Sequence, residues 1–335
     1  MTVEILRVHP ASPDPTAIAR AAAVLRKGGL VAFPTETVYG LGANALDAAA
    51  VAGIFEAKGR PAFNPLIVHA ADVESVRALV SRWPPHAETL AAEFWPGPLT
   101  LVLPKAPRIP PIVTGGLEDV AVRVPAHPVA LALLRACALP VAAPSANRSS
   151  EISPTTAEHV VKALGERVAL VLDGGPTTVG IESTVIDLAG ERPRLLRPGM
   201  VTVREIEAAI GPLDRRREPS DAAPRSPGQL ARHYAPRARL IVCRPEDGAA
   251  TLEASSAHPT GAIVVTAADW RADHVQTLPA DPAGYAARLY AAMHALDDLG
   301  CRLIVAEALP DAPGWMALQD RLMRAAHGGP SDRAD

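Results

Sequence analysis

The chain has 335 residues, 48% of them hydrophobic, and a formal net charge of −3. This length and composition suffice for two buried cores, and the small charge excludes a uniformly basic nucleic-acid-binding face. No stretch has the length and apolarity of a membrane span, and Glu4 and several prolines interrupt the region where a signal peptide would be apolar. Three widely spaced cysteines predict neither a disulfide framework nor a zinc site, so we expect a cytoplasmic protein with free thiols.

Helices and short strands alternate through the first two thirds of the chain. Residues 15–28 predict a helix ended by Gly28 and Gly29, and the strand that follows breaks into a loop at Pro34. Further strands are predicted at 65–70, 99–103, 119–125, 140–147, 168–175 and 183–189. Further helices are predicted at 48–59, 73–81, 86–94, 127–138, 156–165 and 204–211. This interleaving predicts an α/β or α+β sheet domain.

The pattern stops after Gly211, where residues 212–239 are rich in proline and charge and predict a linker. Beyond it, strands at 238–243, 262–267 and 302–309 alternate with helices at 283–300 and 314–329. This order is typical of a small parallel-sheet, Rossmann-like module.

The segment 33–45, FPTETVYGLGANA, combines polar side chains with glycines. Gly40, Gly42 and Ala45 fit a loose dinucleotide-binding pattern, but no strand ending in an acid follows at the required distance. Its polar side chains are Thr35, Glu36, Thr37 and Tyr39. They suit a small polar ligand, whereas an ordinary strand-to-helix turn accounts for the pattern equally well.

Two cations, Lys58 and Arg60, directly follow the helical residues 48–57, and Pro61 and Pro65 stiffen the loop after them. A lysine supplies a point charge and an arginine a planar fork, so the pair suits phosphate or carboxylate. For a lone K-x-R, the simpler interpretation is a solvated helix end whose two cations interact favourably with the helix dipole.

Polar residues crowd the loop that follows the strand predicted at 140–147. They are Ser145, Asn147, Ser149, Ser150 and Ser153. Such a loop offers hydroxyl and backbone N–H groups to phosphate oxygens. Ser153 or Thr155 can also cap the next helix, and both roles can hold for different residues.

Other strands carry isolated polar groups. Arg123 interrupts the apolar alternation VAVRVP, and burying an arginine without an anion is costly, so an anionic partner is expected. Ser183 opens a buried strand at a sheet end, where α/β proteins bind ligands. Arg197 stands before Pro198 in a rigid turn. His69 ends an apolar strand and is by default a core or capping histidine.

The linker bears side chains that a passive spacer does not need: Gln229, Arg232, His233 and Tyr234. The wider segment 192–239 holds eleven arginines against five acids, which is compatible with an RNA-binding strip. Interleaved acids and a lack of stacking aromatics argue against strong binding of nucleic acid.

Taken in order, these segments resemble one family closely, the YrdC/Sua5 family in its long, two-domain Sua5 type of threonylcarbamoyl-AMP synthase. The matching segments are FPTETVYGLGANA, KGRPAFNPLIVH, FWPGPLTLVL, VAVRVPAHP, PSANRSSEISPT, GIESTVIDL, LRPGMVT and SPGQLARHYAPRARL. Together with the C-terminal module they cover nearly the whole chain.

The resemblance implies three parts. Residues 1–211 would form a YrdC-like catalytic domain, with a twisted mixed sheet and helices around a central cavity. Residues 212–237 would be a linker that acts as a lid over the active site, and residues 238–335 a Rossmann-like C-terminal domain.

The resemblance also implies a reaction in which L-threonine, bicarbonate and ATP give threonylcarbamoyl-AMP and pyrophosphate, the first step of a tRNA modification called t6A. A separate transferase would take the product to adenosine 37 of tRNA. Mg²⁺ would arrive with ATP, without metal ligands from protein side chains. Strong direct binding of nucleic acid and contact with a membrane are not expected.

Residue by residue, the resemblance implies two sets of contacts. The ATP contacts would be Lys58, Arg60, Ser145, Asn147, Ser153, Arg197, His233 and Tyr234, with Lys58 and Arg60 acting in catalysis. The threonine contacts would be Thr35, His69, Arg123, Ala143 and Ser183. Asp119 departs from the family, whose members often have threonine there, and this puts a minor nucleotide contact in doubt. An RNA-binding module and a carbamoyltransferase that works through carbamoyl-adenylate are the alternative functions.

Overall fold

A computed structural model describes residues 3–214, 225, 232–254, 258–266 and 270–327. The chain divides into two compact units. The first comprises Met1–Ser149, Pro154–Thr178 and Glu182–Gln229, and the second comprises Ser150–Ser153, Val179–Ile181 and Leu230–Asp335. Gln229 and most of the predicted linker lie outside the described residues.

The first unit is built on a ten-stranded mixed sheet with the strand order β1-β8-β2-β3-β7-β4-β6-β5-β9-β10. Its strands are β1 Glu4–Arg7, β2 Val31–Phe33, β3 Gly40–Asn44, β4 Ile67–His69, β5 Leu99–Pro104, β6 Asp119–Arg123, β7 Val141–Ala142, β8 Leu170–Asp173, β9 Thr184–Asp187 and β10 Arg194–Arg197. Parallel pairs (β1 with β8, β4 with β6) occur beside antiparallel ones (β2 with β3, β5 with β6).

Eight helices accompany the described part of this unit: α1 Pro15–Arg26, α2 Ala48–Lys58, α3 Val73–Arg77, α4 Pro85–Phe94, α5 Pro111–Thr114, α6 Pro128–Cys137, α7 Ala157–Leu164 and α8 Val203–Ile210. Their ends follow local sequence. The carboxylates of Asp14 and Asp47 accept backbone N–H groups at the starts of α1 and α2, and Thr202 and Glu205 form a capping box on α8. Such caps satisfy N–H groups that have no partner within the helix.

The strand register separates two faces of the sheet, because cross-strand partners point to the same side. On one face, Val68 and Val122 join the main core together with helical residues such as Ile54 and Leu90. The other face bears a smaller apolar cluster of Ile67, Val102, Ala121 and Val185. We call this second side the Ile67 face.

The second unit contains a four-stranded sheet, ordered β11-β14-β12-β13, in which every pair is parallel. Its elements are β11 Arg239–Cys243, α9 Gly248–Glu253, β12 Thr260–Val264, β13 His274–Thr277, α10 Pro282–Asp298, β14 Leu303–Glu307 and α11 Met316–Ala326. Apolar residues of β12 and β14 pack with Leu252 and Trp270 in its core.

Two short loops, Ser150–Ser153 and Val179–Ile181, are integrated into this second unit. The backbone N–H of Ala235 donates to the Ser150 carbonyl at 2.9 Å. At Gly180, with φ of +81°, an added Cβ would lie 2.2 Å from the carbonyl oxygen of Ala286. Only glycine allows so close an approach of two backbones.

The predicted fold class is confirmed: a large mixed sheet with helices, and a separate parallel α/β sheet. The prediction of a loop from Pro34 onward was wrong beyond residue 39, because β3 begins at Gly40. Glycine disfavours strands in isolation, yet a Cβ at Gly42 would meet Phe33 and Val141 at 2.8 Å. Close packing of neighbouring strands therefore requires glycine here. In the described residues, no helix combines the length and apolarity needed to cross a membrane.

Candidate functional site

Lys58 lies beneath the serine-rich loop rather than on a solvated helix end. It is the last residue of α2, and its side chain is 2% exposed. Its ammonium group donates to the carbonyl of Ser145 at 2.6 Å and also to that of Asn147, while the Lys58 carbonyl accepts from the N–H of Ser149. The Lys58 charge is therefore fixed directly at the loop predicted to hold phosphates.

Arg60 shapes the segment that leads into β4. After Gly59 ends α2 in the left-handed conformation, the buried Arg60 guanidinium donates to the carbonyls of Asn64 and Pro65, the latter at 3.1 Å. These hydrogen bonds fix the segment 60–65, in which the chain leaves α2 and turns towards β4. Both cations of the K-x-R pair are therefore buried and hydrogen-bonded, and the simpler interpretation of a solvated helix end is wrong.

The segment 34–39 forms a locked loop between β2 and β3. Phe33 pairs with Gly40 across the two strands. The Thr35 hydroxyl accepts from the N–H groups of Thr37 and Val38 and donates to the Val38 carbonyl at 2.6 Å. This side-chain bonding fixes the turn without help from a helix. The Tyr39 hydroxyl donates to the Gly175 carbonyl, and the side chain is buried in the main core, so Tyr39 has a structural role.

Arg123 has the anionic partner that its place in a strand predicted. Its side chain is buried, and one terminal nitrogen lies 2.6 Å from a carboxylate oxygen of Glu36. Its Nε donates to the Gly97 carbonyl at 3.1 Å, and its other terminal nitrogen donates to the Thr37 hydroxyl at 3.0 Å. Arg123 therefore ties β6 to both the 34–39 loop and the entrance of β5.

His69 lies beside Arg123 on the Ile67 face, since the two residues are register partners in β4 and β6. Its ring meets that of Phe33 edge-on, with 6.4 Å between centroids. Burial and, after it, the positive charge of Arg123 lower the pKa of His69 from 6.5 to about 3. The imidazole is therefore neutral at neutral pH.

Changing His69 to glutamine should make stability less sensitive to acid. In the folded protein the pKa is about 3, against 6.5 as the ordinary value. The stabilising contribution of this neutral imidazole is thus complete above pH 6.5. It is lost progressively as the pH falls from 6.5 towards 3. Thermal unfolding at about pH 7.5 and about pH 5 should show a smaller drop in Tm for His69→Gln than for the wild type. Exposed His86→Gln is the control, and equal drops in all three proteins would refute the interpretation.

Ser183 and Arg197 meet at the neighbouring strands. Arg197, at the end of β10, donates from Nε to the Ser183 carbonyl at 3.0 Å and from a terminal nitrogen to the Ser183 hydroxyl at 3.1 Å. The same hydroxyl lies 2.8 Å from that of Thr100 in β5. Both arginine contacts are buried, so the cation is held in one orientation.

A continuous series of hydrogen bonds connects these clusters. The 145–147 loop pairs with the start of β3, where Ser145 bridges Gly40, and Ala146 N–H donates to the Tyr39 carbonyl. The 34–39 loop then reaches Arg123 through Thr37. From the Arg123 contact at Gly97, the next residue, Pro98, accepts from Thr184 N–H beside Ser183.

The register places the strand members of this series on one side of the sheet. Arg123 lies two residues after Ala121 in β6 and therefore on the Ile67 face. Thr100 and Arg197 are both register partners of Val185, which lies on the same face. Ala143, just beyond β7, donates its N–H to the Ile67 carbonyl at 2.9 Å. Arg123, Thr100 and Arg197 thus share this face with the apolar cluster of Ile67, Val102, Ala121 and Val185, which we call the apolar floor. Lys58 reaches the neighbouring 145–147 loop from α2.

Asp119, where the sequence departs from the family pattern, binds the linker. Arg225 lies 2.6 Å from the Asp119 carboxylate and 2.9 Å from that of Asp187. Asp119 is two residues before Ala121 in β6, and Asp187 pairs with Val102. Both acids therefore lie on the Ile67 face, at the strand ends opposite Arg123.

The other predicted ATP contacts belong to the second unit. Tyr234 is fully buried, with its ring 5.8 Å from that of Tyr290 and the Arg321 guanidinium 4.9 Å from its centre. Its φ of 60° is unusual for a residue other than glycine, which indicates a tightly held backbone. His233 packs edge-on against Tyr234, and the Ser153 carbonyl lies 3.2 Å from the imidazole of His294.

The structure thus brings together, within the first unit, most of the residues that the sequence singled out. They are Thr35, Lys58, Arg60, His69, Arg123, Ala143, Ser145, Asn147, Ser183 and Arg197. Ser153, His233 and Tyr234 form contacts within the second unit. The sequence analysis missed Thr100, which contacts the Ser183 hydroxyl, because it lies in the apolar run LTLVL. Its polarity within that run was the feature that could have indicated a site residue. In the described ranges, no group of three or more His, Cys, Asp or Glu side chains has a metal-binding arrangement.

Two family models match consecutive parts of the chain. Residues 23–199 match the Sua5/YciO/YrdC model, whose description is "Telomere recombination". Residues 201–327 match a model described as "Threonylcarbamoyl-AMP synthase, C-terminal domain".

Full-length relatives and solved structures agree with these matches. A threonylcarbamoyl-AMP synthase of Bacillus subtilis is 47% identical over 93% of both chains. The crystal structure of Pyrococcus abyssi Sua5 complexed with L-threonine has a TM-score of 0.90 and 44% identity, covering 96% of this chain and 97% of that one. A P. abyssi Sua5 variant with a histidine and the adjacent tyrosine changed to alanine has a TM-score of 0.90 and 43% identity, with 97% and 96% covered. The chain belongs to the Sua5/YciO/YrdC family, in its two-domain Sua5 form.

Proposed function

We propose that the Ile67 face and its surrounding loops are the active site at which this chain makes threonylcarbamoyl-AMP. The chain is a threonylcarbamoyl-AMP synthase, a nucleotidyltransferase, because a relative of that name is 47% identical over 93% of both chains. The observation that carries the placement of the site is the series of hydrogen bonds, joined by short stretches of chain, that leads from Lys58 to Arg197.

Threonine, in this proposal, binds beside Arg123. The L-threonine complex of the similar P. abyssi protein supports threonine as the ligand. Arg123 offers a guanidinium to the carboxylate, and the Ser183 hydroxyl can exchange a hydrogen bond with the substrate. The Thr35 hydroxyl is already bonded to Thr37 and Val38, so Thr35, a predicted threonine contact, acts here by fixing the loop that carries Glu36 and Thr37. A neutral His69 adds no further positive charge, and Ala143 limits the size of the side-chain pocket.

The triphosphate of ATP, in this proposal, lies between Arg197 and the 145–147 loop that Lys58 contacts. Lys58, Arg60 and Arg197 supply fixed positive charge, and Ser145 and Asn147 supply polar groups that can position phosphate oxygens. Mg²⁺ enters as part of the ATP substrate and adds charge neutralisation there.

The chemistry needs positioning more than it needs a protein nucleophile. The neutral amine of threonine and bicarbonate condense to a carbamate with loss of one water molecule. A carbamate oxygen then attacks the α-phosphorus of ATP and displaces pyrophosphate. Nucleotidyl transfer depends on alignment and on neutralising charge on phosphate oxygens. A carbamate and a mixed anhydride both decompose in water, so a dry, apolar floor favours the product.

Mass spectrometry of the product tests this function. Incubation of the full chain with L-threonine, bicarbonate and Mg-ATP should yield threonylcarbamoyl-AMP and equimolar pyrophosphate, and omission of any substrate should abolish both. Release of pyrophosphate that does not depend on threonine, or a carbamoyl product formed on another acceptor, would favour the carbamoyltransferase alternative. We further expect the product to pass, in the cytoplasm, to a transferase that modifies adenosine 37 of tRNA.

An RNA-binding strip along 192–239 is less compatible with the structure. Arg194 and Arg225 form ion pairs with Asp187, and Arg197 is buried against Ser183. Arginines that are engaged with internal carboxylates contribute little to binding a phosphate backbone.

We also propose that the linker closes over the ATP site. The support is Arg225, the linker residue whose two ion pairs place it on the Ile67 face beside the apolar floor. His233 and Tyr234 follow eight and nine residues later along the chain and remain predicted ATP contacts. A linker attached to this face suits a lid that excludes water.

Changing Arg225 to glutamine should raise the ATP concentration needed for half-maximal rate by about three- to tenfold, since a partly exposed charge pair contributes on the order of 1 kcal/mol. The thermal stability should change little. Steady-state kinetics with ATP varied would measure the effect, with the exposed Arg239→Gln as a matched control. An unchanged ATP requirement in Arg225→Gln would rule out a lid anchored in this way.

A further inference from the structure

Glu36 is the residue of the site for which the proposed chemistry has no role, although it is the partner of Arg123. It lies in the locked 34–39 loop and is 7% exposed. Its backbone carbonyl faces the Thr178 hydroxyl at 3.5 Å, and its neighbours Thr35 and Thr37 are hydrogen-bonded to each other. The backbone at Glu36 is therefore held in place, and its side chain is buried beside Arg123.

The carboxylate of Glu36 has unused capacity to accept hydrogen bonds. One oxygen is 2.6 Å from an Arg123 nitrogen, but the angles are not those of a hydrogen bond. In the part of the chain that the structure describes, neither oxygen has a hydrogen-bond donor. A buried carboxylate without donors is costly, so a ligand with N–H groups fits here.

Arg123 complements this arrangement. Its Nε and one terminal nitrogen are committed to Gly97 and Thr37, whereas the remaining nitrogen, next to Glu36, has no hydrogen-bond acceptor among the described residues. A buried carboxylate and a hydrogen-bonded guanidinium thus lie side by side, each with bonding capacity left. An α-amino acid carries the complementary pair of charges, an ammonium to face Glu36 and a carboxylate to face Arg123, attached to one carbon.

We infer that Glu36 binds the α-ammonium group of threonine while Arg123 binds its carboxylate, so that the pair selects amino acids over other small carboxylic acids. This inference rests on the proposed threonine site. The ligand inserts its two charges next to the existing pair, and each buried charge then gains a hydrogen-bonded partner. An acid that lacks the amino group satisfies Arg123 and leaves the Glu36 oxygens without donors, which lowers its affinity.

The test compares two ligands on matched proteins by isothermal titration calorimetry without ATP. The ligands are L-threonine and (3R)-3-hydroxybutyrate, which is threonine without its amino group. Wild type should bind threonine at least about thirtyfold more tightly, as expected for a charged hydrogen bond. In Glu36→Gln this preference should fall to a few-fold, because threonine loses affinity and hydroxybutyrate does not. Glu56→Gln, an exposed glutamate on α2, is the control and should keep the wild-type preference.

The outcomes separate the inference from the function on which it rests. If wild type binds threonine and Glu36→Gln keeps the same preference, or weakens both ligands equally, the inference is overturned. If wild type does not bind threonine at all, the proposed site itself fails. Should Glu36→Gln not fold, Glu36→Asp serves instead, since it keeps the charge but withdraws it from the ammonium and should lower the preference by an intermediate factor.

Discussion

Changing Lys58 to alanine is expected to lower the rate of pyrophosphate release at least about tenfold, because a charged hydrogen bond to phosphate contributes roughly 1.5–3 kcal/mol. The loss has a second component. The Lys58 ammonium also holds the carbonyls of Ser145 and Asn147, so the variant should loosen the loop that we propose positions the triphosphate. Both kcat and the ATP requirement should therefore worsen in steady-state kinetics.

Two further variants make the Lys58 experiment specific. Lys27, exposed at the end of α1, is a lysine at a corresponding helix end, and Lys27→Ala should keep wild-type kinetics. Lys58→Arg keeps the charge but replaces a compact ammonium by a planar fork, and should recover only part of the rate. A folded Lys58→Ala protein with normal turnover would remove this residue from the ATP site.

Changing Arg123 to methionine should raise the threonine concentration needed for half-maximal rate by about ten- to a hundredfold, with a much smaller effect on the ATP requirement. Arg123 is the buried cation next to His69 and Thr37, and methionine replaces its bulk without its charge. Varying threonine and ATP separately in a pyrophosphate assay would measure the two requirements.

The Arg123 variant also leaves Glu36 without its ionic partner, so stability must be measured alongside activity. A buried pair broken on one side can cost about 3–5 kcal/mol. The double variant Arg123→Met with Glu36→Gln removes both charges and should regain stability without regaining threonine affinity. Arg135→Met, on the exposed side of α6, is the matched control. A rise in the ATP requirement alone would reassign Arg123 to the nucleotide.

The sequence predicted those parts of the fold and site that depend on local pattern. Strands such as LTLVL and VAVRVP alternate or run apolar, and α1 and α2 begin at capping acids, so their positions follow from neighbouring residues. The anionic partner of Arg123 was predicted for the same reason, since a buried guanidinium requires one. The identity of that partner, Glu36, depends on a loop some 87 residues away in sequence (123 minus 36).

Other features depend on register and distant pairing, which a single sequence does not contain. Thr100 contacts Ser183 only because β5 and β9 pair in one particular register. The ion pairs of Arg225 likewise require Asp119, at the start of β6, and Asp187, at the end of β9, to lie at the same edge of the sheet on either side of β5. β3 was missed because its glycines carry a weak strand signal, and the close packing of Gly42 against Phe33 and Val141 depends on distant pairing.

The two loops that belong to the second unit determine how this protein can be dissected and recombined. Ser150–Ser153 and Val179–Ile181 precede the linker in sequence, yet Ala235 and Ala286 are among their close neighbours. A fragment ending at Gly211 would leave both loops without these neighbours, and its defects would not report on the lid alone. A chimera that receives the C-terminal module from a relative should therefore receive the relative's versions of both loops, including the glycine at position 180.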